Sequence, residues 1–537
     1  MRQEKRNVGS AAAVVMTALV VSRLTGFIRQ TLVPSVIGSN ELGDAYDFAF
    51  KITDLMFYLL VGGSIAAALI PVLTGYIAKK EEKDGWTAVS TFVNTMFLAM
   101  LTLVVLGIIF APQIVPLLAL GFSETQISLI VDLTRILLPS VGIMMLAGMV
   151  NGILNAYHRF SAAAYGPSLY NVLCAFSIIF LSRISIQAIA VGVLCSALAY
   201  FLFQLAFALK NMKHYRVVID YRHKGSRRMF RLAVPSLLSS SIAQVNVFIT
   251  SMLTTLYPAG SVVALNIADR IWQTPYGIFA QGMGIAMLPT LSEHYAADKL
   301  DEFKRILIKG LNTVMLLTVP SAAALAVLAK PLIEFFKFSA KFDSGSMATA
   351  QRILIFFTVA LLAHSLLTIL IRAFYAVNDT KTPLFTGIIE ILINIGGAYL
   401  LYRFTDLGAG GMALSFSIAG VVNAVLLFFL INKKVNGLGL GNFLRFSIKA
   451  IVSAILMSAA ILLLNHVLNL NGAMLNYEAA QAGDIIKVKL HELLVLGINA
   501  AVGIFVYFGA MILMKAEEAI DVFNSFKSKL RSILKRK

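Results

Sequence analysis

The chain has 537 residues, of which 58% are hydrophobic and 13% are charged, and its mean hydropathy is +0.82. Soluble domains carry about 25% charged residues, so the composition excludes them and indicates a membrane protein with several spans. The net charge of +18 favours anionic membrane lipids rather than nucleic acid as a partner, because roughly 32 of the Lys and Arg residues fall in predicted cytoplasmic segments. The two cysteines exclude a disulfide framework and offer no metal site.

About fourteen apolar runs have the ~20-residue length that crosses a bilayer. The predicted spans cover residues 8–34, 44–77, 88–110, 127–156, 165–181, 187–209, 229–256, 261–291, 306–329, 350–376, 384–404, 410–431, 446–466 and 490–514. The basic start, residues 1–6, precedes the first run, and no convincing small-residue cleavage site follows, so the run is predicted to remain as an uncleaved span. The positive-inside rule then places both termini in the cytoplasm. The predicted fold class is an all-α polytopic membrane protein.

The first two spans carry charges that are costly in lipid. Arg23 lies well inside the first span, where an arginine costs roughly 2.5–3.5 kcal/mol on insertion scales, and Arg29 follows on the same span. On the second span, charged residues three, four and three positions apart stack on one helix face: Asp44, Asp47, Lys51 and Asp54. A charged face on a membrane helix predicts a water-filled pathway.

The two halves of the chain resemble each other at a shift of about 218 residues, an internal symmetry that is typical of transporters. Ile70-Pro71-Val72-Leu73 corresponds to Leu288-Pro289-Thr290-Leu291. Six spans per repeat is an even number, so the pseudo-twofold axis would run along the membrane normal. The predicted domains are an N-lobe over 1–209, a C-lobe over 210–440 that starts with a basic linker (210–231), and a third part over 441–537. That third part would contain two extra spans and an amphipathic cytoplasmic tail.

The eighth span has a polar face of its own, formed by Asn266, Asp269, Arg270 and Gln273. Asp269 and Arg270 could neutralise each other, but adjacent side chains on a helix point about 100° apart and bridge poorly. At ~1.5 Å per residue, Arg23, Lys51 and Arg270 reach similar depths in the outer half of the ~30 Å core. Cations from both halves at one level predict a site for a large anion such as phosphate, which arginine can bind through two hydrogen bonds.

The eleventh span offers a second polar site. Glu390 and Asn394 lie four residues apart on one helix face, so they could bind a coupling cation, Na⁺ or H⁺. A hydrogen-bonded structural pair would explain them equally well. His364 on the tenth span is interpreted as a packed or cavity-lining side chain rather than a proton relay. The membrane potential alone could also drive the return of an empty cationic site, and no other cofactor is expected.

Five short motifs together resemble those of one family. They are Ser22-Arg23-x-x-Gly26-Phe27-x-Arg29, Asp44-Ala45-Tyr46, Asn155-Ala156-Tyr157-x-Arg159-Phe160, Ala268-Asp269-Arg270 and Asp379-Thr380-Lys381-Thr382-Pro383. The set is similar to that of the MurJ (MviN) lipid II flippases, members of the multidrug/oligosaccharidyl-lipid/polysaccharide exporter superfamily. The resemblance implies two six-helix lobes with an alternating-access cavity, and a groove for the polyprenyl tail along spans thirteen and fourteen.

The resemblance also implies which residues lie in or near the substrate cavity: Ser22, Arg23, Arg29, Asp44, Lys51, Asp269 and Arg270. One departure concerns the second span, where Phe57 occupies a position that is arginine in many members and Gly62 stands near a family glutamate position. A cation is therefore missing from the expected set, and either Lys51 replaces it or the pyrophosphate is held differently.

The predicted function is transport, without chemistry on the substrate. A monomer in the bacterial plasma (inner) membrane would move lipid II, the undecaprenyl-pyrophosphate disaccharide-pentapeptide, from the inner to the outer leaflet. A flippase for another polyprenyl-linked glycan would share the architecture, but the first-span motif and the two extra spans disfavour it. A cation-coupled drug exporter is disfavoured by the cationic cavity. A membrane enzyme would need a carboxylate or metal cluster, and the short loops contain none.

Overall fold

The computed structural model describes residues 21–61, 65–157, 159–337, 339, 341–468, 482–521 and 524. Over these residues the chain is helical and contains no strand, so the all-α prediction is confirmed. The start of the first predicted span (8–20), most of the loop before the last span (469–481) and most of the predicted amphipathic tail lie outside the described residues. The chain divides into two compact units, Met1–Val263 and Ala264–Lys537.

The first unit consists of α1 (21–32), α2 (Glu41–Leu60), α3 (Ile70–Ala78), α4 (Glu82–Leu118), α5 (Glu124–Ala156), α6 (Phe160–Leu181), α7 (Ile186–Ala208) and α8 (Lys224–Thr254). Two π-helical segments, π1 (Val33–Ile37) and π2 (Ile65–Leu69), interrupt this series. The central helix is α5, which packs against α2, α4, α6 and α7. Its buried face joins Phe48 of α2 in a shared apolar core.

The second unit consists of α9 (Ser261–Pro275, whose first turn belongs to the first unit), α10 (Gly282–Ala296), α11 (Leu300–Val327), α12 (Ala329–Phe335), α13 (Ser344–Ala376), α14 (Lys381–Phe404), α15 (Gly410–Lys434), α16 (Leu440–Val467) and α17 (Ala482–Leu513). A third π-helical segment, π3 (Tyr276–Gln281), joins α9 to α10. Here α13 is central and packs against α10, α11 and α15. Since α5 and α13 occupy matching places in the predicted repeat, each half builds its core around the same span.

Ten helices among the described residues are long and apolar enough to cross a membrane. They match the predicted spans three to six and nine to fourteen. Four predicted spans have no counterpart among these ten helices. They are the first two spans of each predicted repeat, which carry the polar and charged faces. The first is also described only from residue 21 onward. The chain is therefore a multi-pass membrane protein, and the count of fourteen stays a prediction.

The second span of each half is interrupted, whereas the sequence analysis predicts one continuous run. In the first unit α2 gives way to π2 and then α3, and in the second unit α9 gives way to π3 and then α10. A proline lies beside each break: Pro71 follows π2, and Pro275 ends α9 directly before π3. Because proline lacks an N–H, the regular i→i−4 hydrogen bond is lost there, and single-turn π segments of this kind often occur at functional sites.

The basic linker is shorter than predicted and is fastened to α4. Helix α8 already begins at Lys224, so the second part of the predicted linker (210–231) is helical. The side chain of Asn94 donates to the carbonyl oxygens of Arg216 (3.1 Å) and Val218 (3.0 Å). Ser90 Oγ accepts from the Arg216 N–H at 3.1 Å, and Thr91 Oγ1 accepts from Asp220 N–H at 3.0 Å. The segment 215–221 therefore lies along a polar stripe of α4.

Candidate functional site

The two arginines of the first motif have different surroundings. Arg23 is exposed and makes no ion pair with any residue in the described part of the chain. Arg29 is half-buried, with its guanidinium carbon 5.6 Å from the centre of the Tyr170 ring on α6. Such a cation–π contact is attractive and gains strength away from water. Arg23 is thus available to a ligand, whereas Arg29 is held in the contact between α1 and α6.

Helix α6 also positions the residue before Arg23. The amide nitrogen of Asn171 donates to the backbone carbonyl of Ser22 at 3.3 Å. Tyr170 and Asn171 therefore hold two points of α1 about two turns apart. The sequence analysis did not single out this pair. The only signal in the sequence is a polar Tyr-Asn step in the middle of an apolar span.

Asp44 is buried and hydrogen-bonded to the backbone, and its place in or near the substrate cavity stays a prediction. It is 2% exposed. Its Oδ2 accepts from the Gly260 N–H at 2.7 Å and its Oδ1 from the Val263 N–H at 2.9 Å. These N–H groups lie at the start of α9, so the carboxylate caps that helix and complements the positive end of its dipole. Lys51, two turns further along α2, is half-buried.

In the second unit, Asp269 and Arg270 point to different surroundings, as expected for neighbours on a helix. Asp269 is 7% exposed, and its Oδ1 accepts from Trp272 Nε1 (3.0 Å) and Gln273 Nε2 (2.8 Å). Arg270 is exposed, and its guanidinium makes no ion pair within the described residues. Each unit therefore presents an exposed arginine on a helix of its polar face, Arg23 and Arg270.

A buried polar cluster surrounds Glu390. Its Oε2 accepts from Asn423 Nδ2 at 2.6 Å, and its Oε1 lies 3.9 Å from His364 Nε2. Asn394, one turn along α14, is 1% exposed, and its backbone carbonyl accepts from Ser415 Oγ at 2.8 Å. Glu390 and Asn394, the two residues predicted from spacing, are both buried on α14. Asn423 and Ser415 of α15, which the sequence analysis missed, donate hydrogen bonds to them.

His364 is packed among aromatic rings. Its ring stacks on Phe416 with the centres 4.7 Å apart and the planes 20° apart, and Trp272 lies 5.9 Å away. These contacts agree with its interpretation as a packed side chain. Among the described residues, no group of three or more His, Cys, Asp or Glu side chains could hold a metal ion.

Asp379, from the last motif, stabilises a loop. Its Oδ2 accepts from Lys434 Nζ at 2.6 Å and from Thr382 Oγ1 at 2.8 Å, and its Oδ1 accepts from the Thr382 N–H at 3.0 Å. Partial burial alone would raise the pKa of Asp379, but these hydrogen bonds and the Lys434 charge lower it from 3.8 to about 2. The motif thus joins the start of α14 to the end of α15.

Tyr157, from the third motif, is likewise structural. Its hydroxyl bonds to the Glu82 carboxylate and accepts from Trp86 Nε1 at 2.9 Å. Partial burial, together with the Glu82 hydrogen bond, raises the pKa of Tyr157. The contact links the end of α5 to the start of α4.

The comparisons with known proteins identify the family. The model of the family "Lipid II flippase MurJ" matches residues 33–482 of the chain. The chain belongs to this family. The match covers Asp44, Lys51, Asp269 and Arg270 but begins after Ser22, Arg23 and Arg29, so the MurJ resemblance read from the motifs is confirmed most directly beyond the first span.

Curated MurJ relatives match most of this chain. A lipid II flippase MurJ of Burkholderia cenocepacia is 28% identical over 466 residues, covering 84% of this chain and 89% of the relative. A probable lipid II flippase MurJ of Rhizobium meliloti is 30% identical over 429 residues, covering 78% and 79%. One of Buchnera aphidicola is 29% identical over 414 residues, covering 76% and 80%.

Solved structures share the fold. A lipid II flippase MurJ in an inward closed conformation has a TM-score of 0.74 at 24% identity and covers 94% of this chain and 99% of its own. An inward-facing multidrug resistance transporter of the MATE family in the MOP superfamily has a TM-score of 0.67 at 16% identity, covering 79% and 98%. At these identities the likeness concerns the fold alone. This MurJ-family chain is accordingly a membrane transporter by family, and not an enzyme.

Proposed function

We propose that this chain moves lipid II from the inner to the outer leaflet of a bacterial plasma membrane by alternating access. The observation that carries the proposal is the family match over residues 33–482. The polar faces support the proposal. An arginine inside an apolar span is costly, and such residues usually mark a substrate or ion pathway. The substrate would be the undecaprenyl-pyrophosphate disaccharide-pentapeptide, and no bond would be made or broken.

The proposed roles follow from the surroundings of each residue. Arg23 and Arg270 are exposed and would contact the pyrophosphate directly, and Lys51 would add a third cation. Arg29, held under Tyr170, would contribute positive potential from one side. Asp44 and Asp269, whose oxygens accept hydrogen bonds within the protein, are positioning residues in this scheme.

The polyprenyl tail would stay in lipid during transport. Moving it through a polar cavity would forfeit about 0.8 kcal/mol per CH₂ group, so only the headgroup needs a wet path. The two extra spans, α16 and α17, present exposed apolar side chains such as Leu463 and Phe505. These faces provide a surface along which the tail could lie.

Single substitutions of the two exposed arginines test this proposal. Arg23→Ala and Arg270→Ala should each lower the rate of lipid II flipping about 10- to 100-fold, the effect of losing a charge-assisted hydrogen bond of ~1.5–3 kcal/mol. The measurement is lipid II accessibility in the outer leaflet after depletion of the host flippase, with protein abundance checked by immunoblot. Arg403→Ala, another exposed arginine, is the matched control. Flipping that survives both substitutions would overturn the proposed anion site.

We further propose that the cluster around Glu390 binds the coupling cation, Na⁺ or H⁺. Glu390 is 8% exposed, its carboxylate accepts from Asn423, and Asn423 Oδ1 accepts no hydrogen bond from a described residue, so an anionic and a neutral oxygen donor lie on neighbouring side chains. Glu390→Gln should abolish the dependence of flipping on the Na⁺ or proton gradient while leaving the membrane potential as a driving force. A gradient dependence that is unchanged in Glu390→Gln would exclude this site.

The remaining expectations concern placement and partners. Both termini would lie in the cytoplasm, the protein would act as a monomer, and its +18 charge would attract anionic lipids rather than nucleic acid. Cysteine labelling of the termini in intact cells and in inverted vesicles checks the orientation. Labelling of either terminus from outside the cell would contradict it.

A further inference from the structure

A cavity at one end of the second unit is not used by the proposed transport. It has a volume of about 1060 Å³ and lies where α11 and α16 begin and α17 ends. Its lining includes six cations, Lys304, Arg305, Lys309, Arg445, Lys449 and Lys515. It also includes four carboxylates, Asp301, Glu517, Glu518 and Asp521. On the predicted topology this end of the spans faces the cytoplasm.

The cations on the α11 side of the cavity are neutralised. Lys309 Nζ lies 2.9 Å from Asp521 Oδ2, and Lys304 Nζ lies 3.9 Å from Asp301 Oδ1. Arg305 forms an ion pair within its own helix. This side therefore has little net charge to offer a ligand.

The cations on the α16 side are not neutralised. Arg445, Lys449 and Lys515 form no ion pair with any residue that the structure describes, although Lys449 Nζ donates to the Lys515 carbonyl at 3.3 Å. Glu517 is the one lining carboxylate that has neither an ion pair nor a hydrogen bond among the described residues. Three cations against one carboxylate leave this side of the cavity positive and suited to an anion.

One residue in the lining of the same cavity, Asn312, carries a buried acceptor. Asn312 is 5% exposed, and its Nδ2 donates to Glu518 Oε1 at 2.6 Å. Its Oδ1 accepts no hydrogen bond from any described residue. An unmet buried acceptor is costly, so the amide favours a ligand that brings a donor such as a hydroxyl group.

An apolar stripe continues from the cavity along α16. Leu444, Ile448, Ile451 and Ile455 are 49%, 61%, 48% and 62% exposed, and their spacing of four, three and four residues places them on one helix face. This stripe lies about 100° around the helix from Arg445 and Lys449. A ligand that satisfies both features has an anionic, hydroxylated head and an apolar chain.

We propose that this cavity binds the headgroup of an acidic glycerophospholipid that carries a free hydroxyl, as phosphatidylglycerol does. The phosphodiester contacts Arg445, Lys449 and Lys515, a headgroup hydroxyl donates to Asn312 Oδ1, and the acyl chains follow the stripe on α16. The inference rests on the proposed attraction to anionic lipids and not on lipid II flipping. If the lipid site fails its test, the proposal of lipid II flipping is unaffected. If flipping fails its test, the lipid site is likewise unaffected.

The test measures lipid binding to the purified full chain by native mass spectrometry. Phosphatidylglycerol should bind more tightly than phosphatidylcholine. The double variant Arg445→Gln/Lys449→Gln should weaken phosphatidylglycerol binding about thirtyfold, at ~1 kcal/mol for each basic group. Arg445→Gln alone, which breaks no hydrogen bond or ion pair to a described residue, should weaken it about fivefold. The control Lys210→Gln/Lys213→Gln, which removes two exposed cations of the linker, should leave binding within about twofold.

Two further probes identify the ligand chemistry. Phosphatidylethanol has the same phosphodiester charge but no hydroxyl, so it should bind about fivefold more weakly than phosphatidylglycerol, the effect of one hydrogen bond. Glycerophosphoglycerol, the headgroup without acyl chains, should show no saturable binding at the same concentrations.

Equal losses in the control and cavity variants would overturn the site in favour of diffuse surface charge. Tight binding of glycerophosphoglycerol would overturn the lipid in favour of a soluble phosphate ester, and equal affinity for phosphatidylethanol would overturn the role of Asn312.

Discussion

Replacing Asp44 with asparagine should destabilise the first unit rather than weaken a contact with substrate. In the native protein both carboxylate oxygens accept backbone N–H groups, at 2.7 Å from Gly260 and 2.9 Å from Val263. An amide retains one acceptor and turns its NH₂ group toward the other donor. Hydrogen bonds to charged groups contribute ~1.5–3 kcal/mol, and an unmet buried donor costs ~1–3 kcal/mol. We therefore expect Asp44→Asn to lower the free energy of unfolding by about 2–4 kcal/mol.

The assay is thermal unfolding of the purified protein in detergent, followed by tryptophan fluorescence. In a Trp272→Phe background, Trp86, which is fully buried in the same unit, reports its unfolding. At about 2 °C per kcal/mol for a unit of this size, the midpoint should fall by several degrees. Glu41→Gln is the matched control, because it removes the same charge from an exposed position on α2 and should change stability by less than about 0.5 kcal/mol.

Two results would refute this reasoning. If Asp44→Asn unfolds at the native temperature but transports poorly, the carboxylate meets the substrate and is not a cap of α9. If Asp44→Asn and Glu41→Gln lose the same stability, loss of charge and not loss of the backbone hydrogen bonds causes the effect.

Two other predictions concern the loop at α14 and a close helix contact. The pKa of Asp379 is lowered to about 2, so its interactions with Lys434 and the α14 backbone contribute stability that is complete above about pH 4 and disappears as the pH falls to about 2. The stability difference between the native protein and Asp379→Asn should shrink over that range in a pH series, and a constant difference would contradict the assignment. Gly121→Ala should cost about 1–3 kcal/mol, because its new Cβ would meet the backbone oxygen of Thr255. Gly310→Ala is the control, because its Cβ would meet the flexible end of a methionine side chain, and it should unfold closer to the native temperature. If Gly121→Ala and Gly310→Ala have equal unfolding midpoints, the backbone clash at Gly121 is relieved and the prediction is wrong.

Much of the fold could be predicted from the sequence, because a membrane span is specified locally by its length and hydropathy. The ten helices that qualify as spans match ten predicted runs. The interruptions at π2 and π3 could not be read from hydropathy, since a run remains apolar through a change in helix pitch. Pro71 and Pro275 were the available signals, although proline also occurs inside helices that continue, as Pro139 does in α5.

The candidate site could be predicted only in part from the sequence, for a different reason. Helical spacing predicted Glu390 and Asn394 on one helix face, and both are buried on α14, while a cation site there stays a prediction. Spacing could not reveal that Asp44 caps a helix start 216 residues away in the chain, nor that Tyr170 covers Arg29. Spacing gives the face of a helix, whereas the role of a charge depends on the neighbouring helix that meets it.

The attachment of segment 215–221 to α4 affects how this transporter can be observed. Val217, within that segment, is 91% exposed, while the backbone on either side of it is hydrogen-bonded to Asn94. A spin label or fluorophore placed there would be accessible to reagents and yet carried by a rigid helix. Distances measured from it during the transport cycle would report displacement of the first unit itself. Their distribution would be narrower than that from a label on a flexible loop.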